Sequence, residues 1–230
     1  MAYKIPLSFP SLAVVLAVIV AAFRPSAGVE YQVINNAVGT PGGNRFESDI
    51  GVDFTKFVLT QASFFVRSNL AMPNGGVRND VGRITCFIDV TLSAAAITFG
   101  NEIHVNGQVI ADLPGFARTG ITGLLYHEVT HVWQWLGDGE PPGLIEGIAD
   151  YMRLKAGYPQ PNWVFPGQGD RWDQGYDVTA RFLDYCSRFD SRFVAKLNAK
   201  MKHGYNVGVF QQLLGKPVEQ LFEDYKGILP

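Results

Sequence analysis

Ile121-Thr-Gly-Leu-Leu-Tyr-His-Glu-Val-Thr-His-Val-Trp-Gln-Trp135 is the stretch on which the reading of this chain turns. Its apolar residues return every three to four positions, which predicts a helix over residues 121–135, capped by Thr119 or Thr122. His127 and His131 then lie one turn apart on one face, where both imidazoles can reach a single ion. Glu128 is turned about 100° further around the axis and can address a water on that ion. Two neutral imidazoles beside a carboxylate suit zinc, a borderline-soft ion that activates water. A chain of this composition, with only four histidines, would contain the pattern by accident roughly 0.002 times. That rarity weighs against the plain reading, a pair of surface histidines beside a solvated glutamate.

An open zinc site takes three protein ligands and leaves a position for water. A metzincin would follow the second histidine with x-x-Gly-x-x-His, but Gln134 and Gly137 stand in the two decisive places. Glu146 is the better third ligand. It opens Glu146-Gly-Ile-Ala-Asp150 on the next expected helix, 142–155, after a turn-rich Gly137-Asp-Gly-Glu-Pro-Pro-Gly143 that can reverse the chain. Asp150 follows one turn later, where it is expected to accept a ligand histidine's N–H and hold its tautomer. The competing account of Glu146 and Asp150 is a solvated acidic face. Asp138 and Glu140 are rival ligands, but they sit in the loop too close behind His131. Gln134 is a candidate to support His131, and Trp133 and Trp135 on either side of it read as core.

Outward from this centre, residues 30–35 alternate like a strand until Thr40-Pro-Gly-Gly43 breaks them. Residues 49–71 carry Ile50, Phe54, Phe57, Val58, Phe64 and Phe65 at helical spacing, and Asn74-Gly-Gly76 reads as a loop. A buried strand is expected at 84–90. Asn106-Gly107 between 102–105 and 108–111 is the signal of a two-residue hairpin. Helices are expected at 142–155, ended by Gly157, and at 176–188, 192–201 and 218–226. The expectation is an α+β domain, with a mixed sheet in the N-terminal half and a largely helical C-terminal half.

With 230 residues, 47% hydrophobic and 17% charged, the chain suits one domain over 29–230. Before it, Lys4, the apolar run Ser11–Phe23 and the small residues Ser26-Ala27-Gly28 read as a cleaved signal peptide, 1–28. The run is shorter than the about 20 apolar residues of a bilayer-spanning helix. Cleavage removes Lys4 and Arg24 from 19 basic residues and none of the 21 acidic ones, taking the net charge from −2 to −4. That argues against a nucleic-acid partner, and no membrane partner is expected after cleavage. Cys86 and Cys186 would suit a disulfide in an exported protein, and two buried free thiols are the equal alternative.

Four stretches carry a family resemblance. They are Thr40-Pro-Gly-Gly43 with Arg45-Phe46, His127-Glu-Val-Thr-His-Val-Trp-Gln-Trp135, Gly143-Leu-Ile-Glu-Gly-Ile-Ala-Asp-Tyr151, and Trp172-Asp-Gln-Gly-Tyr-Asp-Val-Thr-Ala-Arg-Phe-Leu183. In these the chain resembles the plant basic secretory proteins, which are pathogenesis-related and peptidase-like. The resemblance implies a gluzincin-like, that is zincin-like, metallopeptidase fold. It also implies secretion to the plant apoplast or cell wall and a part in defence. One departure is that this chain, with a sequence pI near 6.1, is not basic.

The residues and the resemblance together predict a Zn2+-dependent peptidase, a monomer acting on peptides or proteins. His127, His131 and Glu146 would hold the metal, and Glu128 would serve as general base. Tyr176 is the first candidate for stabilising the oxyanion, with His104, Tyr151 and His203 behind it. A non-catalytic metal-binding defence protein with a microbial or cell-wall ligand is the alternative, and Glu128 has no purpose in it. A glycan-cleaving carboxylate pair would leave the two histidines unexplained.

Overall fold

A computed structural model describes residues 28–73 and 75–228. The expected signal peptide, residues 1–27 of it, lies outside the described residues, as does Asn74 of the expected loop. Strand β1 (Glu30–Asn35) pairs in parallel with β2 (Arg83–Asp89), Glu30 opposite Arg83 and Asn35 opposite Ile88. Parallel neighbours need a crossover rather than a hairpin. Here it consists of α1 (Pro41–Arg45), a π turn over Phe46–Ile50, and the 19-residue α2 (Val52–Leu70). Strand β4 (Glu102–Asn106) adds in parallel to β2, and β3 (Ala96–Phe99) pairs antiparallel to β4. The sheet order is β1-β2-β4-β3, so β3 is an edge. The chain is α+β, as expected: a mixed four-stranded sheet with many helices.

The hairpin lies one strand earlier than expected. The β3–β4 connection is Gly100-Asn101, with Gly100 in the left-handed region at φ 59°. Asn106-Gly107 instead ends β4 and opens α3 (Gly107–Asp112). Asn106 has an extended φ of −71° and caps that helix, its side-chain oxygen accepting from Gln108 N at 3.0 Å. A two-residue type I′ turn needs positive φ at both central positions, and Asn106 does not supply it. Its amide also donates to Leu92 O and Ala94 O, each at 3.1 Å, and so holds the approach to β3.

The long amphipathic helix is present but shorter than expected. Its buried stripe is Val58, Leu59, Ala62, Val66 and Leu70, while Phe57 and Phe64 are 59% and 73% exposed. Large aromatics there matched the period, yet they face away from the sheet. Helix α4 (Ala117–Trp133) packs across α2 and against β3. It begins before the expected position and is capped by neither threonine: Thr122 Oγ1 donates to Arg118 O within the helix. Helix α5 (Pro142–Lys155) runs as expected and stops before Gly157, at φ 87°. Then come α6 (Tyr176–Cys186), α7 (Phe193–Met201), the unforeseen α8 (Val209–Leu214) and α9 (Val218–Lys226). Trp133 is buried and Trp135 donates its indole N–H to Gly75 O at 2.9 Å, so both are packing residues. Cys86 and Cys186 are buried free thiols, with burial pushing Cys86 up to about 12. The disulfide alternative is therefore not realised.

Candidate metal centre

Helix α4 carries His127 and His131 on successive turns, and their Nε2 atoms face each other at 3.1 Å. Helix α5 packs against α4 and brings Glu146 Oε2 to 3.2 Å from His127 Nε2 and 3.7 Å from His131 Nε2. One donor atom from each of the three residues lies within 4.8 Å of the others. Among the described residues this is the single group of three or more such side chains that could hold a metal.

The fit to zinc can be tested on these distances. Ligand atoms about 2.0–2.1 Å from a tetrahedral ion stand roughly 3.3 Å apart, and the three separations scatter around that value. The chemistry of the donors agrees, since His₂Glu with an open fourth position is a zinc hydrolase set.

Each of the two histidines is held from behind. Asp150, 3% exposed and one turn after Glu146, sits 2.7 Å from His127 Nδ1. A carboxylate there draws the proton to Nδ1 and turns the Nε2 lone pair toward Glu146. Gln134 is fully buried, with its amide nitrogen 2.9 Å from His131 Nδ1 and 3.4 Å from Ile145 O. Its carbonyl oxygen is buried without a partner. A metal on Nε2 of His131 requires a proton on Nδ1, which that oxygen could accept with the amide turned over. Burial works against the charged form of His127, but the Asp150 and Glu146 contacts outweigh it and raise the imidazole to about 10. Glu146 is also opposed by burial, yet hydrogen bonds from His127 and His131 hold it well below the usual carboxylate range. Glu128, Glu146 and Asp150 surround the two imidazoles with negative charge, which favours positive charge at their centre.

Glu128 is 4% exposed, and its Oε2 accepts from Thr98 Oγ1 on edge strand β3 at 2.6 Å. Thr98 is not apparent from the sequence, because β3 is only four residues long and its meeting with Glu128 is long-range. Tyr176 is the one non-glycine residue at positive φ, 45°, among the described residues. Such a conformation costs on the order of 1–3 kcal/mol and persists only where the surroundings enforce it. They do so here: Gly143 lies so close to Asp173 O that a Cβ would stand 2.0 Å from it. Thr179 then clamps the segment, accepting from Gly175 N and donating to Trp172 O at 2.8 Å each. The Tyr176 ring, 57% exposed, stacks over His127 with centroids 6.1 Å apart. The charge on Glu146, then burial, raises its phenol above the usual value.

The other candidates lie elsewhere. His104 is bound to Asp89 Oδ2 at 2.7 Å and stacked on Phe87. Tyr151 is buried with its hydroxyl accepting from Ser187, and His203 is an exposed turn residue. Asp138 and Glu140 stay out of the ligand group. A cleft of about 790 Å³ opens over His127, Glu128, His131, Glu146 and Tyr176. Arg153, buried in its wall, was also missed, although it follows Asp150 by three residues on the same helix.

Comparisons with known proteins extend beyond the site. A family model described as "Peptidase of plants and bacteria" matches residues 26–225. A 55-residue stretch is 46% identical to a basic secretory protease of Boswellia serrata, covering 24% of this chain and 61% of that relative. No solved structure matches. No helix of the described residues is long and apolar enough to cross a membrane. The match over most of the chain places it, plainly, in the basic secretory protease family, the peptidases of plants and bacteria.

Proposed function

We infer that this chain is a secreted, zinc-dependent peptidase of zincin-like fold that hydrolyses peptide bonds outside the plant cell, in defence. The observation that carries the reading is the convergence of His127, His131 and Glu146 donor atoms within 4.8 Å, beside a buried Glu128, at the floor of an open cleft. Zinc held there would supply Lewis acidity, lowering the pKa of water toward ~7 and polarising the scissile carbonyl. Glu128 takes the proton of the attacking water as the water oxygen bonds to the carbonyl carbon. It returns that proton to the amide nitrogen as the C–N bond breaks. Thr98, donating to Oε2, leaves Oε1 free to face the water. Tyr176, over His127 and kept protonated by its raised pKa, is placed to donate to the developing oxyanion. Its exposure leaves the hydroxyl free to meet substrate.

The test compares the purified protein with Glu128→Gln for zinc content and for cleavage of a peptide library. One zinc per chain in both, with cleavage only by the unaltered protein, is the expected result. Zinc in both and cleavage by neither would transfer the reading to a non-catalytic metal-binding defence protein.

A further inference from the structure

A second cavity, of about 650 Å³, adjoins the cleft and shares Ala95, Leu124, Arg153, Gln160 and Asn162 with it. We propose that this cavity is the side-chain pocket for a large apolar residue, leucine- or phenylalanine-like, within one or two residues of the bond that is cut. The proposal rests on the peptidase reading and adds its substrate class.

Position argues first. Leu124 precedes His127 and Glu128 by three and four residues on α4, so it lies roughly 4.5–6 Å along the axis from them. Thr119 and Gly120, further into the cavity wall, lie one turn beyond. An extended peptide advances about 3.4 Å per residue. A substrate with its scissile carbonyl at the metal centre therefore presents a neighbouring side chain at Leu124, the entrance to the second cavity.

Chemistry argues next. The wall is apolar, formed by Val109, Leu113 and Pro114 with the exposed Phe116 at its rim. The two charged residues in the lining are already engaged. Asp112 accepts from Gln108 Nε2 at 2.9 Å. Arg153 donates from Nε to Tyr158 O at 2.9 Å and lies over the Trp163 ring at 5.6 Å. With the Gln160 amide turned, its oxygen also accepts from Nη1 and Nη2 of Arg153 at 3.1 and 3.2 Å. Gly123 makes room for this guanidinium, since a Cβ there would stand 2.9 Å from Nε. None of the buried polar atoms that lack a partner belongs to a lining residue. The pocket thus holds no buried polar group waiting for a polar side chain, while an apolar one gains from leaving water.

The experiment uses zinc-loaded Glu128→Gln, which binds without turnover, and peptides that differ only in having alanine, leucine or phenylalanine at one position beside the central bond. Calorimetric affinities are expected to favour leucine and phenylalanine over alanine at one of those positions by at least about tenfold, the scale of a single well-placed methylene. Thr119→Trp in the same background should bring that ratio close to one by filling the pocket, with circular dichroism and zinc content confirming the fold. Phe116→Ala, which opens the rim instead, should lower the ratio without reversing it. Equal affinities for all three side chains, or a ratio untouched by Thr119→Trp, would overturn the pocket. Loss of the peptidase reading looks different: the unaltered protein then cleaves nothing, whatever the affinities are.

Discussion

Helices α4 and α5 and the segment from residue 94 to 112 meet at the same cleft, yet they relate to the sequence in opposite ways. In the helix pair, every partner in the candidate metal centre stands at a spacing of three or four residues, or on the neighbouring helix: His127 and His131, Glu146 and Asp150, His131 and Gln134. In the 94–112 segment the hairpin signal at Asn106-Gly107 built a helix cap, and the edge strand is the four-residue Ala96-Ile-Thr-Phe99 that follows an alanine run. The lesson is that helical spacing is a local geometric fact, whereas a strand exists only when a distant partner pairs with it.

The sharpest way to break that contrast is to remove a candidate ligand from the helix pair. His131→Ala should release zinc and abolish peptide cleavage. Retained zinc at one per chain, measured by atomic absorption after dialysis, would show that the metal centre does not depend on the helical pair. Asp150→Asn should weaken zinc binding by roughly 10–100-fold, because the proton on His127 Nδ1 loses its carboxylate partner. A competition titration with a chelator reads that loss directly.

The edge strand has its own test. If β3 were scaffold alone, Thr98→Val, equal in shape but without the hydroxyl, would leave kcat unchanged. Loss of the 2.6 Å bond to Glu128 should instead lower kcat about tenfold with KM little altered, and Thr98→Ser should restore most of it. In the metal-free protein, His127 rises from 6.5 to about 10 on folding. Its contribution to stability is therefore complete below pH 6.5 and is lost as pH climbs through about 10. Glu146, depressed from 4.5, contributes above that value and loses its contribution as pH falls below it. Thermal unfolding of the chelated protein should accordingly show Tm declining from pH 6.5 to 10, and a flat profile would contradict the charged contact. The smallest effect is expected at Gln108→Ala, which removes only the exposed i,i+4 bond to Asp112 on the helix that Asn106 caps. That bond is worth about 0.2–0.5 kcal/mol, a Tm drop of about 1 °C in a protein of this size.

The candidate site was legible to the extent that it is built from helices. His127, Glu128 and His131 follow from one turn of α4, and Glu146 and Asp150 from one turn of α5 once a chain reversal is granted at 137–143. Tyr176 was found through its neighbours Trp172 to Gly175, but not its left-handed backbone, which depends on the close approach of Gly143 to Asp173. Phe57 and Phe64 show the limit of periodicity: they keep the spacing of the buried stripe of α2 and still face solvent, because the sheet covers only the other side.

What the sequence determined by itself was the chemistry: which side chains could share an ion, which carboxylate stands beside them, and that strands precede helices. Those properties are set by bonds and spacings within about four residues along the chain. Only the tertiary structure decided that Thr98 reaches Glu128, that Arg153 folds over Gly123, and that an apolar cavity opens beside Leu124. Each of these joins surfaces tens of residues apart, and their meeting is settled by the packing of whole helices on a sheet, not by any local preference.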